Sequence, residues 1–231
     1  MSNNNKPYKV LVSGGNKGIG LAAVKGLIRQ GCEVLLGSRD VVKGQAAAEL
    51  LGHQVTTVAL DLSEPVQLKQ QIHAIQTNHP DISILINNAA VLHRGNVLEV
   101  TQENFYQSLQ VNIAAAFDLI QALVPTMIQQ GYGRVVNVSS GWGRFSEGLT
   151  GPAAYCVSKA AINALTLSLA NDVPDFIKVN AVDPGWTRTD MGGSNASRTP
   201  DQAAETIIWL ATLAEDGPSG QLFYDKRAVA W

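Results

Sequence analysis

Two cysteines, Cys32 and Cys156, are all that the 231 residues contain. They are too few for a disulfide framework and lack zinc-ligand spacing, so neither a stapled secreted fold nor a structural metal is expected. His53, His73, His79 and His93 show no ligand spacing either, which leaves them surface or loop roles. An excess of one charge is also missing: 17 basic residues face 19 acidic ones, a formal charge of -2. With no dense Lys/Arg run, a nucleic-acid partner is not expected. Uninterrupted apolar runs stay far short of a membrane span. The N-terminus, Met1 to Lys9, is polar and Asn-rich and has no apolar centre of a secretory signal. These absences point to a cytoplasmic protein with no membrane partner. Internal repeats and low-complexity linkers are missing too.

What remains is 45% hydrophobic and 16% charged, enough core for a single domain over residues 1–231. Strand and helix signals alternate along the chain. Short apolar runs at Lys9–Val12, Glu33–Leu36, Gln54–Leu60, Asp81–Ile86, Arg134–Val138 and Phe176–Val182 read as strands, with a last short one at Gln221–Tyr224. Between them, Gly18–Gln30, Val41–Leu51, a stretch opened by Ser63 and Pro65, Gln102–Gln130, Pro152–Leu169 and Thr199–Leu213 carry helical spacing. Short strands joined by helical crossovers predict an α/β fold: a Rossmann-type doubly wound parallel sheet of about seven strands with helices on both faces. The Gly/Ser-rich stretch Gly185 to Ser197 is expected to be a mobile loop over a site.

Gly14, Gly15, Asn16, Lys17, Gly18, Ile19 and Gly20 fall between the first strand and first helix. Glycines there allow a tight turn and close approach of backbone to a diphosphate, and the helix start offers free N–H groups. The spacing differs from G-x-G-x-x-G, and no Gly-Lys-Ser/Thr follows as in a Walker loop. The second strand ends at Gly37-Ser38-Arg39, where a site selecting NAD normally carries an acid. A small Ser38, then Arg39, with Lys17 nearby, would instead attract the 2′-phosphate of NADP(H). Asp40 would oppose this if it turned inward.

Tyr155 and Lys159 are four apart on a helix and so share a face. A nearby ammonium favours the phenolate, so Tyr155 is expected to titrate low and to exchange a proton with a carbonyl or alcohol oxygen. No other tyrosine has Lys at that spacing. Ser139-Ser140 ends the fifth strand, Asn87-Asn88-Ala89-Ala90 the fourth and Asp183-Pro184-Gly185 the sixth, all on the edge that carries the Gly-rich loop. Trp142, Phe145 and Trp186 fall on loops of that edge. As a pocket wall, these three would favour bulky or aromatic carbonyls, Trp142 and Trp186 above all. Cys156 reads as a packed core thiol, since no His partner is implied.

Together these motifs resemble the short-chain dehydrogenase/reductase family over essentially the whole chain, closest to NADPH-dependent carbonyl reductases. Ser13 to Gly20 is similar to Thr-Gly-x-x-x-Gly-x-Gly, with Ser for Thr. Asn87 to Ala90 is similar to Asn-Asn-Ala-Gly, without the last Gly. Pro184-Gly185-Trp186-Thr187-Arg188-Thr189-Asp190-Met191 resembles the loop that holds the nicotinamide carboxamide, so Pro184, Gly185, Thr187, Thr189 and Met191 become cofactor contacts. The resemblance implies Tyr155 as acid/base and Lys159 as ribose ligand and tuner of Tyr155. It implies Ser140, rather than Ser139, as holder of the substrate oxygen. It implies that Asn112 holds a water leading to Lys159, that Asp61 and Leu62 meet the adenine, and that Asn88, with Ala89, contacts the cofactor near its ribose.

The expected activity is hydride transfer from NADPH to the carbonyl of a small-molecule ketone or aldehyde. A 3-oxoacyl-thioester reductase and a non-catalytic NADP-sensing protein are the alternatives. The segment Ser108 to Val124 has only five polar residues, Ser108, Gln110, Asn112, Asp118 and Gln121, fewer than a helix with one buried stripe would show. In the family this helix and the one bearing Tyr155 form the main subunit interface. Monomeric animal carbonyl reductases cover it with an insertion between the catalytic Ser and Tyr. Here only fourteen residues separate Ser140 from Tyr155, so a homotetramer or homodimer is expected. The opposing expectation has the C-terminal segment to Trp231 covering the strip.

Overall fold

The computed structural model describes residues 8–231, so most of the polar N-terminal stretch lies outside the described residues. Eight strands form one sheet: β1 (Lys9–Ser13), β2 (Glu33–Ser38), β3 (Val55–Ala59), β4 (Ile82–Asn87), β5 (Gly133–Val138), β6 (Ile177–Val182), β7 (Gln221–Tyr224) and β8 (Arg227–Val229). Their spatial order is β3-β2-β1-β4-β5-β6-β7-β8. The first seven are parallel, and β8 turns back antiparallel on β7. The expectation of about seven strands thus needs one correction, the edge strand β8. Asp225 and Lys226 join it to β7 with φ of 46° and 60°, the left-handed pair that a two-residue hairpin turn requires. Asp-Lys lacks the Asn-Gly signature of such a turn. Arg198 holds it from outside, pairing with Asp225 at 2.6 Å and lying over the Tyr224 ring at 5.2 Å.

Helices α1 (Gly18–Arg29), α2 (Val41–Glu49), α3 (Pro65–Asn78), α4 (Gln102–Leu109), α5 (Ala115–Gln130), α6 (Ala153–Asp172) and α7 (Pro200–Ala211) supply the crossovers. Alternation along the strands sorts two cores. Val10, Val12, Val34, Leu36, Ile84 and Ile86 face α1, α2 and α7. Leu11, Leu35, Leu85, Val135 and Val179 face α3, α5 and α6. With helical layers on both faces, the inner strands carry short continuous apolar runs such as Val10–Val12 and Ile84–Ile86, as buried parallel sheets require.

The long helical stretch at 102–130 is not uniform. Between α4 and α5, Gln110–Ala114 forms one π turn. It carries Asn112 inward, where its amide accepts from Val91 N–H at 2.8 Å and donates to Val91 C=O and Ser158 Oγ at 2.9 Å. Both Gln102–Gln130 and Ala153–Asp172 are long and apolar enough to cross a membrane by length and composition, which the short uninterrupted runs did not suggest. Each is about half buried here, and their polar residues Asn112, Ser158, Lys159, Asn163 and Thr166 find partners inside the fold.

Arg134 is the largest fully buried side chain, and among the described residues it forms no ion pair. Its guanidinium donates to the carbonyls of Leu213, Gly133 and Phe176 and lies 4.2 Å from the centre of the Tyr132 ring. Its cost of burial is offset by hydrogen bonds rather than by a counter-charge.

Candidate active site

The C-terminal strand ends gather one edge of the sheet, and the strand order reverses between β1 and β4, the crevice where open α/β sheets bind ligands. Ser13 ends β1 and organises that crevice. Its hydroxyl accepts from Asn88 N–H at 2.9 Å and Ala89 N–H at 3.1 Å. Asn88 Nδ2 then donates to the carbonyls of Ser13 at 2.9 Å and Gly14 at 3.3 Å. Asn88 therefore braces the Gly-rich loop from beneath, a role the resemblance did not assign to it.

The loop itself is a cradle only glycine can build. A Cβ on Gly20 would stand 2.2 Å from Gly14 O, and Gly14 and Gly18 have φ of 65° and 55°. The start of α1 has no side-chain cap and no acid in its first turn, so its N–H groups and positive dipole end are left for an anion. Gly15 N–H donates to Gly37 O at 3.1 Å and brings the end of β2 to this loop. At that end Ser38 is buried and donates to Asp40 O at 2.7 Å. Asp40 caps α2 through Lys43 N–H and pairs with the Lys43 ammonium, which holds its carboxyl below the usual range. Its side chain is committed to Lys43. Arg39 is exposed and unpaired among the described residues. Lys17 is not free: its Nζ meets Asp190 at 2.6 Å across the crevice. Asn16 and Ile19 are half-buried on the same loop. These residues fit a dinucleotide diphosphate with a cationic corner at β2.

Asp61 follows β3, but its carboxylate accepts from Ser63 N–H and Oγ at 3.0 and 2.6 Å, which shapes the turn into α3. Leu62 is buried in the core and its carbonyl accepts from Gln110 Nε2.

At the centre of the edge, Tyr155 is buried, and the Ser140 side chain lies near enough to its hydroxyl to oppose the rise that burial imposes on the phenol. Ser140 Oγ also accepts from Trp142 N–H at 3.2 Å. Ser139 instead faces inward, toward the Lys159 carbonyl, at 3.4 Å. Trp142 stands edge-on to Tyr155, ring centres 6.2 Å apart, with Gly151 making room: a Cβ there would lie 2.4 Å from the indole. Trp186 is more than half exposed and its indole N–H donates to Gly192 O, so it braces its own loop. Phe145 is exposed.

Lys159 Nζ donates to Val138 O at 2.7 Å and lies 5.5 Å from the Tyr155 ring centre. Burial pulls its pKa down to about 8. Burial likewise pushes the Tyr155 phenol above its usual range, with the nearby Ser140 side chain opposing the rise. The expected lowering of Tyr155 by Lys159 is therefore corrected. Desolvation of the phenolate outweighs an ammonium bonded elsewhere. Asn112 reaches Ser158 and Val91 rather than Lys159.

Beyond β6 the loop expected to be mobile is tied to itself. Thr187 is buried, Arg188 N–H donates to Arg198 O at 2.9 Å, Gly193 N–H to Thr189 O at 2.8 Å, and Arg188 Nη1 to Ala196 O at 3.0 Å. Thr189 reaches the Gly-rich loop: a Cβ on Gly18 would lie 3.1 Å from its methyl. Pro184 O and Gly185 O accept from Thr187 Oγ1, and Met191 is partly exposed. Two residues outside the sequence-based set emerge: Asp190, facing Lys17, and Asp183. An acid directly before Pro-Gly at a strand end was the available signal for the latter.

A doubly wound parallel sheet with a glycine cradle at its crevice and a Ser140–Tyr155–Lys159 cluster beside it defines an oxidoreductase. Residues 8–200 match the short chain dehydrogenase family, and the chain belongs to it. It is 31% identical over 271 aligned positions to "Carbonyl reductase [NADPH] 1" of Sus scrofa, covering 96% of this chain and 93% of that one. The alignment is longer than this chain, so that relative carries segments absent here. It is 32% identical to a 3-alpha-(or 20-beta)-hydroxysteroid dehydrogenase of Mycobacterium bovis over 78% of this chain and 69% of the relative. The NADPH-bound carbonyl reductase from chicken fatty liver superposes with a TM-score of 0.85 at 26% identity, over 98% of this chain and all of that one (100%).

Proposed function

We propose that the protein is an NADPH-dependent reductase of ketone or aldehyde carbonyls. The observation that carries this reading is the buried Tyr155, with Lys159 Nζ 5.5 Å from its ring centre, on the sheet edge that carries the glycine cradle. Bound NADPH would supply the hydride to the carbonyl carbon. Tyr155 gives its proton to the carbonyl oxygen, and Ser140 donates a hydrogen bond that orients that oxygen. A tyrosine kept protonated by burial suits this direction. Lys159, carried below the phenol, holds the ribose and returns the proton. Arg39, with Lys17 once released from Asp190, meets the 2′-phosphate, while Asp40 stays committed to α2. Trp142 forms the wall of the substrate pocket.

The relatives that carry NADPH in their names support this choice of cofactor, and the two free, buried thiols suit a cytoplasmic setting. A panel of aryl ketones and 3-oxoacyl thioesters, with NADPH oxidation followed optically, tests the reading. Turnover of ketones but not thioesters is expected. Thioester preference would make the protein a 3-oxoacyl reductase. Tight NADPH binding without turnover on any member would make it a sensor.

We also propose that two copies pack face to face through α4, α5 and α6. A groove of about 650 Å³ opens there, lined by Tyr106, Leu109, Gln110, Ile113, Ala114, Phe117 and Leu165. Tyr106, Phe117, Val157 and Leu167 are exposed on these helices. Ala230 and Trp231 bond instead to Arg144 and Ser146, away from this strip. An isologous contact would bury it.

A further inference from the structure

Lys17 and Asp190 come from opposite sides of the crevice. Lys17 directly precedes α1 in the Gly-rich loop, and Asp190 lies in the loop after β6, 173 residues further on. Their ammonium and carboxylate meet at 2.6 Å. Among the described residues this is the one hydrogen bond between Gly14–Gly20 and Pro184–Gly193. The two loops are also in close contact beside it: a Cβ on Gly18 would stand 3.1 Å from the Thr189 methyl. The turn that presents Asp190 is itself closed, Gly193 N–H donating to Thr189 O at 2.8 Å.

The start of α1 has no acid in its first turn and no side-chain cap, so this cradle is positive with no anion of its own. Asp190 is the carboxylate that reaches it from the facing loop. The pair is weakly held. Its side chains are 69% and 81% exposed, so water screens the charges and little is lost when they part. A phosphate monoester carries close to two charges and three acceptor oxygens, against one charge and two oxygens for a carboxylate. It can take Lys17 from Asp190, and the freed carboxylate returns to solvent. Arg39, the other cation assigned to the 2′-phosphate, has no such rival. It is exposed and unpaired among the described residues, and the neighbouring Asp40 is committed to Lys43 at 3.1 Å.

We infer that Asp190 is a specificity-determining residue, an internal competitor of the 2′-phosphate for Lys17. It lowers affinity for 2′-phosphorylated nucleotides and leaves nucleotides without that group little changed. Asp190 acts so within the NADP(H) reading above, on which this inference rests. The two cations of the corner then differ in kind: Arg39 meets the phosphate outright, and Lys17 meets it only at the expense of Asp190.

Calorimetric titration with 2′,5′-ADP and with 5′-AMP, which differ only in the 2′-phosphate, tests this. In Asp190→Asn, affinity for 2′,5′-ADP should rise about twofold to fivefold, the worth of an exposed ion pair, with 5′-AMP little changed. Asp190→Ala should repeat the gain with no amide left to bond Lys17. On a Lys17→Met background Asp190→Asn should change nothing, because the competitor then has no cation to occupy. A gain of equal size for both nucleotides, or one that survives Lys17→Met, would make Asp190 a general source of negative field and overturn the inference. A wild-type preference for 2′,5′-ADP that both Asp190 variants leave unchanged would overturn the inference alone. A wild type that binds the two nucleotides alike would remove the cationic corner, and the inference with it.

Discussion

Lys159 Nζ donates to the carbonyl oxygen of Val138 at 2.7 Å, at the end of β5. The bond carries the ammonium beneath Tyr155, and burial there pulls its pKa down to about 8. The sign of the linked stability follows. Below about pH 8 the amine is charged in folded and unfolded chains alike, and folding bears the full desolvation cost. Between about 8 and the ordinary lysine value near 10.4 the folded amine is neutral first, so stability rises. Urea unfolding at about pH 7 and about pH 9.5 should show wild type gaining stability relative to Lys159→Met. Equal changes in the two proteins would place the ammonium in contact with water.

Tyr155→Phe should lower kcat by about 10²–10⁴-fold, since it removes the proton donor proposed for the carbonyl oxygen. NADPH affinity, measured by fluorescence or calorimetry, should change little. Less than about tenfold loss, with chemistry rate-limiting, would assign the proton to another group.

Arg39→Asp should shift preference from NADPH toward NADH. Arg39 is unpaired among the described residues, and a charge-assisted bond to a phosphate is worth roughly 1.5–3 kcal/mol, or about 10–160-fold in kcat/KM. Lys17 must first leave Asp190, so Lys17→Met should cost less. A wild type faster with NADH would refute the cationic corner.

Truncating Trp142 should reorder a ketone series more than it slows the smallest member, because its ring stands edge-on to Tyr155. Trp186→Ala should act differently. Its indole N–H braces Gly192 O, so all ketones should lose rate together as the loop loosens. Ratios of kcat/KM across the series distinguish these outcomes.

Light scattering at micromolar concentration should give a mass of at least two chains. Phe117→Glu, placing a charge in the groove of α4, α5 and α6, should shift it toward 24.6 kDa. A wild-type protein already at that mass would exclude the proposed contact.

Much of this was legible in the residues. Short continuous apolar runs such as that in Lys9–Ser13, punctuated by glycine and followed by helical spacing, specify a sheet buried on both faces. A helix brings i and i+4 together wherever it lies, so Tyr155 and Lys159 were bound to share a face. The edge strand β8 was not legible, because Asp225-Lys226 takes a left-handed turn that only the clamp by Arg198 makes evident. The π turn at Asn112 was hidden too, since it depends on backbone groups of Val91, twenty-one residues away.

The sequence by itself determined the layering, the order of the glycine cradle and catalytic cluster, and the absence of an acid at Ser38-Arg39. Those are consequences of periodicity and spacing, which are local. Only the tertiary structure decided which partner each polar group took: Lys159 with Val138 O, Lys17 with Asp190, Asp40 with Lys43, and Asp183 with Gly185 N–H. It also reversed the expected shift of the phenol. Desolvation depends on everything packed around a group, and no spacing along the chain encodes that sum.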